Sequence, residues 1–268
     1  MKTDEKYIKL AKEVRRKIVK ISHTANVGHV GSAFSIVEIL VALYFGIMKI
    51  DKKTIKDEKR DRFVLSKGHA APALYAVLHE KGLLTEKNLA DYCCDNSIFE
   101  EHPKHHVEAI EVSTGSLGHG LSIGAGLAMG GKLKKHKSNI FVLMSDAECD
   151  EGEVWEAALF AGHHKLNNLF LYLDYNKVQA LGTTEDVLNL EPLAQKWQAF
   201  GWNTVEVDGH DTDAIILAWM NNNANICPTI FICHTIRGKG VSFMEHVIDW
   251  HYKNPDEEDL EKALKEVK

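Results

Sequence analysis

Short apolar runs alternate with stretches of helical periodicity along most of this chain. Four runs have the length of buried strands, at residues 140–144, 169–174, 203–208 and 229–235. A fifth, shorter strand is predicted at the start of residues 61–82, ahead of a turn and a helix. Strands that alternate with helices indicate a parallel sheet covered on both faces. We therefore predict a doubly wound α/β fold, built as one domain over the full 268 residues.

Helical periodicity is clearest near the amino terminus. Apolar residues recur on one face of the first predicted helix at Tyr7, Leu10, Ala11, Val14, Ile18 and Ile21. A second apolar helix is predicted from about residue 35 to 48, and a glycine-rich turn followed by a small-residue helix at 113–133. We predict a loop at 237–251 and a charged, helical tail from about residue 252.

Composition and charge exclude several classes of protein. The net charge of −6 argues against a nucleic-acid or anionic-membrane partner, and no apolar run approaches the ~20 residues of a membrane span. The charged start has no apolar core of a signal peptide. Five scattered cysteines without a CxxC pair indicate reduced thiols, and hence a cytoplasmic location.

Polar side chains follow two successive predicted strands. Asp146 comes just after the run at 140–144, and Asn176 just after the run at 169–174. The carboxyl ends of parallel strands share one edge, so the two side chains should lie side by side where open α/β sheets bind ligands. One carboxylate and one amide suit Mg²⁺, which keeps other positions for water and phosphate oxygens. An ordinary strand-helix-strand unit with a chance Asp and Asn is the alternative.

Residues 145–176 also resemble the signature of thiamine-diphosphate enzymes, Gly-Asp-Gly followed at a distance by Asn. Here Ser145 and Ala147 replace both glycines. Ala147 can offer its backbone N–H to a phosphate if its φ is negative, whereas a left-handed φ would cost ~1 kcal/mol or more.

Several further segments widen the resemblance to the transketolase family. GHVGS at 28–32, LSKGHAAP at 65–72, EHP at 101–103, TGSLGHG at 114–120 and WH at 250–251 occur in the order and approximate spacing of transketolases. The resemblance runs from about residue 5 to 255.

The resemblance implies roles for individual residues. The implied metal ligands are Asp146, Asn176 and the backbone carbonyl of Val178. The implied cofactor-binding residues are Ser32, Lys67, His69, Gly115, Ser116, Leu117, Gly118, Ala147, Asn176, Arg237 and His251. The implied catalytic residues are His29, His102 and His251, which would contact the sugar and move protons, and Glu151 and Glu156, which would lie near a subunit boundary.

These residue types suit the implied chemistry. Thiamine diphosphate would supply the reactive carbon, and Mg²⁺ (or Ca²⁺ or Mn²⁺) would anchor its diphosphate. The protein would then bind, orient and shuttle protons, which imidazoles do well near neutral pH.

The resemblance also implies a partner. In the family a second domain supplies the glutamate and the aromatic residue that bind the aminopyrimidine ring. We therefore expect one subunit of a split transketolase, completed as α₂β₂ by a pyrimidine-domain subunit. Its substrates would be sugars or sugar phosphates, and sulfonated or branched sugars remain open. Alternatives are the α subunit of a 2-oxoacid dehydrogenase, a deoxyxylulose-phosphate synthase, or a cofactor-binding protein without catalysis.

Overall fold

One parallel sheet forms the centre of the molecule. The computed structural model describes residues 4–222 and 226–267. Within them, the strands are β1 (Arg62–Leu65), β2 (Ile140–Ser145), β3 (Leu169–Tyr175), β4 (Asn203–Asp208) and β5 (Thr229–His234). They pair in parallel throughout, in the order β1-β2-β3-β5-β4. The four longer strands coincide with the predicted runs to within one residue at each end.

Helices precede, connect and follow the strands. They are α1 (Glu5–Ala25), α2 (Val30–Ser35), α3 (Val37–Ala42), α4 (Ala71–Glu80), α5 (Glu86–Ala90), α6 (His119–Leu133), α7 (Gly152–His163), α8 (Thr184–Val187), α9 (Leu193–Ala199), α10 (Thr212–Met220) and α11 (Glu257–Glu266). Three 3₁₀ turns lie at Gly68–Ala70, Asp146–Asp150 and Ile248–His251, and a π turn at Leu43–Ile47.

Two hydrophobic cores lie on opposite faces of the sheet. On β2, Phe141 and Leu143 pack into the core shared with α1 to α4, whereas Val142 and Met144 pack into the core shared with α6, α7 and α9. Both faces of β2 and β3 are buried, which explains why their sequences are continuously apolar rather than alternating. The doubly wound prediction is confirmed.

The second apolar helix begins earlier than predicted. The sequence predicts a turn at 27–32, but Val30 already starts α2, directly after His29 with its left-handed φ of 62°. Ile36, at φ −103° and ψ 6°, then separates α2 from α3. The predicted helix is therefore three short segments, the last of which ends at Ile47.

The charged carboxyl-terminal segment is part of the domain. Asp256 caps α11 by accepting the backbone N–H of Asp259 at 2.8 Å. Ala263 and Val267 join the core on the α1 face, and Arg16 of α1 donates to the carbonyl of Leu264 at 3.3 Å. The predicted helix is confirmed, but it packs on α1 instead of projecting as a tail.

Two further features bear on the sequence predictions. In the part of the chain that is described, no helix combines the length and the apolarity needed to cross a bilayer. Cys93, Cys94, Cys149, Cys227 and Cys233 are all free thiols.

A buried charged triad ties the amino-terminal helices to the sheet. Arg15 donates to both carboxylate oxygens of Glu38, at 2.6 and 2.8 Å. His210 Nε2 accepts the backbone N–H of Ile236 at 2.7 Å, so its Nδ1 carries the proton and donates to Glu38 at 3.0 Å. Burial alone would raise the pKa of Glu38, but Arg15 and His210 lower it to about 2. Glu38 is therefore a carboxylate at neutral pH.

This triad predicts a stability change. Glu38→Gln leaves the Arg15 guanidinium buried without its counter-charge, and breaking such a pair costs about 3–5 kcal/mol. Urea denaturation should show a loss of that size in the free energy of unfolding. Glu206→Gln is the control, because the Glu206–His234 pair is exposed, with 58% and 45% of the side chains accessible, and such pairs contribute at most about 1 kcal/mol. Equal losses for both variants would contradict the interpretation.

Candidate functional site

A cavity of about 460 Å³ opens at the carboxyl edge of the sheet. Residues that follow four neighbouring strands line it: Lys67 after β1, Asp146 after β2, Asn176 after β3 and Arg237 after β5. The predicted juxtaposition of Asp146 and Asn176 is present, since β2 and β3 are adjacent with Ser145 opposite Asp174.

A buried ion pair lies at this edge of the sheet. Lys67 and Asp174 are both inaccessible, and Lys67 Nζ donates to Asp174 Oδ2 at 2.5 Å and to the carbonyl of Ser32 at 3.1 Å. Asp174 also accepts from Ser35 Oγ at 2.7 Å and from Thr235 Oγ1. Burial would raise the pKa of Asp174, but Lys67 and these donors hold it below the usual value. The Lys67 charge is thus neutralised within the protein.

The two predicted metal ligands are held by backbone N–H groups and, for Asn176, by Asp174, whose Oδ2 accepts from Asn176 Nδ2 at 2.9 Å. Asp146 accepts the N–H of Lys177 at 2.6 Å and that of Ala147 at 2.8 Å. Asn176 Oδ1 accepts the N–H of Val178 at 3.0 Å. Burial, and then the nearby Asp174 charge, raise the pKa of Asp146 to about 7. A cation beside Asp146 would relieve both effects.

The replaced glycines fit their turn. Ala147 lies in the 3₁₀ turn Asp146–Asp150, where φ is negative, so no left-handed strain arises. Ser145 and Glu148 form a capping box at the start of that turn. The N–H of Ala147 is donated to Asp146 here, so an Ala147–phosphate contact stays a prediction.

Three histidines cluster on one side of the cavity. The ring of His29 lies 5.0 Å from that of His69 and 5.2 Å from that of His251, measured between centroids. The backbone N–H of His29 donates to the carbonyl of His251 at 3.1 Å, and His69 Nε2 lies 2.9 Å from Ser32 Oγ. The ring of Tyr252 adds to the cluster, 4.6 Å from that of His251.

The imidazoles of this cluster are neutral near physiological pH. Burial, followed by the positive charge of Arg237, lowers the pKa of His29 to about 4 and that of His251 to about 3. Burial and Lys67 lower the pKa of His69 well below its usual value. Neutral imidazoles can accept protons from hydroxyl groups that enter the cavity.

Arg237 places a buried positive charge with free hydrogen-bond donors at the cavity. Its side chain is only 2% exposed, yet Nε and Nη2 have no hydrogen-bond partner, while Nη1 donates to the carbonyl of Val178 at 3.3 Å. A buried guanidinium with two free donors suits a phosphate group. Within residues 4–222 and 226–267, no cluster of three His, Cys, Asp or Glu residues can hold a metal. One carboxylate, one amide and one carbonyl suit a cation that also takes phosphate oxygens and water.

The glycine-rich loop closes tightly on the cavity. Gly115 has a φ of +152°, and a Cβ there would lie 3.0 Å from Cδ2 of His102. The absence of a side chain thus lets His102 reach the cavity wall. Leu117 lines the cavity as well, whereas Ser116 is exposed and Gly118 is buried at the start of α6.

The two predicted acids lie apart. Glu151 is exposed at the rim of the cavity, whereas Glu156 lies on the outer surface of α7 and does not line it. Sequence reasoning missed other lining residues, namely Ser145, Asp150, Gln179, Ala180, Leu181 and Tyr252. It also missed the buried acids Glu148 and Asp174. The spacing of Ser145 and Glu148, Ser-x-x-Glu, was a usable signal for a capping box.

The fold and the site together define a class. A doubly wound parallel sheet with polar groups at the carboxyl ends of its strands is an α/β domain that takes its ligand at that edge. Residues 7–267 match the thiamine diphosphate binding domain of transketolase, so this chain belongs to the transketolase family.

Individual relatives agree with this assignment. The chain is 42% identical to one subunit of the apulose-4-phosphate transketolase of Phocaeicola vulgatus, over 94% of this chain and 90% of that protein. It is 39% identical to the 6-deoxy-6-sulfo-D-fructose transketolase subunit SqwG of a Clostridium strain, over 96% and 94% of the two chains. The crystal structure of Campylobacter jejuni transketolase superposes with a TM-score of 0.93 at 28% identity, covering 99% of this chain. This chain spans 43% of that longer one.

The electrostatics of the cavity predict a titration result. Because the charge of Arg237 lowers the pKa of both His29 and His251, Arg237→Met should raise both values. Proton NMR titration of the imidazole C–H signals measures this directly. Arg62→Met, at the start of β1 on the opposite edge of the sheet, is the control and should leave both pKa values unchanged. Unmoved pKa values in Arg237→Met would show that burial alone sets them.

Proposed function

We propose that this chain is the diphosphate-binding subunit of a two-subunit transketolase, which transfers a two-carbon ketol unit from a ketose to an aldose. The observation that carries the proposal is the cluster of neutral imidazoles directly beside the edge formed by Asp146, Asn176 and Arg237. Proton-transfer groups and an anion-binding edge lie in one cavity of about 460 Å³. A 2-oxoacid dehydrogenase subunit is less well supported, because its chemistry needs no such set of sugar-facing histidines.

Different residues along this edge of the sheet would hold different parts of thiamine diphosphate. Asp146, Asn176 and the Val178 carbonyl would bind Mg²⁺, with Ca²⁺ or Mn²⁺ as substitutes, and Arg237 would donate to the diphosphate. Ser32, His69, Gly115 and Leu117 line the same cavity and would contact the remainder, with Ser116 and Gly118 completing the loop. The cofactor, when bound, supplies the nucleophilic carbon that the protein lacks.

The histidines would act on the sugar. Nδ1 of His29 and Nδ1 of His251 are buried without hydrogen-bond partners, and the low pKa of both rings keeps them unprotonated near neutral pH. His102 approaches the cavity past Gly115. Together they would remove a proton from one hydroxyl and return it to an oxyanion.

Two observations support a companion subunit. Two relatives that this chain covers over 90% and 95% of their length are themselves named as single subunits of a transketolase. Apolar side chains are also exposed, namely Leu181 at the cavity (88%) and Leu159 and Phe160 on α7 (57% and 42%). We propose an α₂β₂ assembly, with Glu151 and Glu156 near the subunit boundary. The free cysteines are in keeping with a cytoplasmic location.

The relatives also narrow the substrate class. Their names specify a phosphorylated sugar, apulose 4-phosphate, and a sulfonated sugar, 6-deoxy-6-sulfo-D-fructose. We propose that this enzyme acts on a sugar with a terminal phosphate or sulfonate.

The metal assignment yields a binding prediction. Asp146→Asn keeps the shape of the side chain but removes its charge, so Mg²⁺-dependent affinity for thiamine diphosphate should fall about a hundredfold or more. Even the indirect partners of metal ligands contribute about 10- to 100-fold. Calorimetry of the assembled enzyme measures this. Asp208→Asn, at the end of β4 but outside the cavity, should bind as the parent does. Parental affinity in Asp146→Asn would refute the assignment.

The proposed activity itself is tested by reconstitution. The purified chain should show negligible ketol transfer alone and gain activity on titration with a pyrimidine-domain subunit, saturating near one to one. In the reconstituted enzyme, His251→Ala should lower kcat/KM by about 10²- to 10⁴-fold, with cofactor affinity within a few fold of the parent. His234→Ala, half exposed at the end of β5, should have little effect. Full activity from the lone chain would overturn the split-enzyme proposal.

A further inference from the structure

Glu148 is a fully buried acid that does not line the cavity. Its Oε1 accepts from Ser66 Oγ and from the backbone N–H of Gly118, the latter at 2.9 Å. Its Oε2 accepts from the backbone N–H of Ser145 at 2.8 Å and from Ser145 Oγ at 3.3 Å. One carboxylate therefore joins three segments that are distant in sequence.

Each of those segments carries part of the site. Ser66 precedes Lys67, Gly118 ends the glycine-rich loop, and Ser145 precedes Asp146. Ser66 Oγ extends the link by accepting the N–H of Gly120 in α6 at 3.1 Å. Moving Glu148 would therefore shift the loop relative to the turn that carries Asp146.

The two oxygens of an acid side chain suit these contacts, and an amide does not. All four hydrogen bonds to Glu148 come from hydroxyl or backbone N–H donors. An acceptor-only group with two oxygens satisfies them, whereas an amide of the same shape would place its NH₂ against the N–H of Ser145 or of Gly118. Those backbone nitrogens lie at 2.8 and 2.9 Å from the present oxygens, too close for two donors. A buried N–H without an acceptor would therefore destabilise the contact between the glycine-rich loop and the turn at 145–147.

The space around the junction is tight. Gly118 has a φ of +82°, and a Cβ there would lie 2.7 Å from Cβ of Glu151. The loop thus contacts the chain just beyond the 3₁₀ turn, and it has little freedom to compensate for a lost hydrogen bond.

We propose that Glu148 is a positioning residue, which holds the cofactor-lining loop at 115–118 and the turn at 145–147 in one fixed relation through its four hydrogen bonds. The inference rests on the proposed function, because it assigns those two segments to one bound cofactor. Glu148 itself touches neither cofactor nor substrate.

Glu148→Gln in the assembled enzyme tests this. The amide would leave a backbone N–H at this junction without an acceptor, so the Kd for thiamine diphosphate at fixed Mg²⁺ should rise about tenfold to a hundredfold by calorimetry. At saturating cofactor, KM for the donor sugar should stay within about twofold, since His29 and His251 lie on other segments. A general loss of structure would move both constants.

Glu111→Gln is the matched control. Glu111 is a partly buried acid, with 8% of its side chain accessible, and it pairs with Arg60 and Arg62 near the opposite edge of the sheet. Its substitution should lower the melting temperature while leaving the cofactor Kd at the parental value. A folded Glu148→Gln enzyme with parental Kd overturns the inference, as does a Kd for Glu111→Gln that rises equally. Absence of cofactor binding in the parent would instead refute the proposed function.

Ser66→Ala keeps the inference testable if Glu148→Gln does not assemble. This variant removes one hydroxyl donor and leaves Glu148 in place, so its Kd should rise severalfold. A parental Kd would count against Glu148 as the link between the loop and the turn.

Discussion

The buried pair of Lys67 and Asp174 is the interaction on which the site depends. Two fully desolvated charges are tolerated only when their geometry and additional hydrogen bonds offset the loss of water. Here Lys67 lies 2.5 Å from Asp174, and hydroxyls of Ser35 and Thr235 donate to the same carboxylate. Because these partners come from α2 and from the ends of β1, β3 and β5, the pair fixes the edge that carries the cavity. The charge of Lys67 is balanced by Asp174 within the protein.

That arrangement leaves two unmatched charges at the edge. Burial, and then the charge of Asp174, raise the pKa of Asp146 to about 7. Arg237 is buried with two unused donors. A divalent cation with a polyanion complements both at once, the cation at Asp146 and the anion at Arg237. Burial, and then the same Arg237 charge, lower the pKa of the neighbouring His29 and His251, so one residue would act on both the ligand and the imidazoles.

The sequence predicted the parts of this structure that depend on local pattern. Continuous apolar runs located the strands, and the position of Asp146 and Asn176 after two of them located the edge. The histidines were found through family resemblance and not through periodicity. The break at Ile36, the neutralisation of Lys67 by Asp174 and the aromatic ring of Tyr252 were not predicted, because each depends on contacts between segments far apart in the chain. Glu148 shows most clearly which contacts the sequence pattern does not predict. Its capping-box spacing is local, but its bonds to Ser66 and Gly118 span 82 and 30 residues.

The replaced glycines of the signature show where this fold requires glycine and where it does not. At Ser145 and Ala147 the chain enters a right-handed 3₁₀ turn, which any residue adopts, and the serine hydroxyl and the Glu148 side chain cap that turn. At Gly115 and Gly118, φ is positive and a Cβ would approach His102 or Glu151 to 3.0 Å or less. The requirement for glycine therefore lies in the loop that closes over the site. The turn that presents Asp146 needs a cap instead, and a serine followed three residues later by a glutamate provides it.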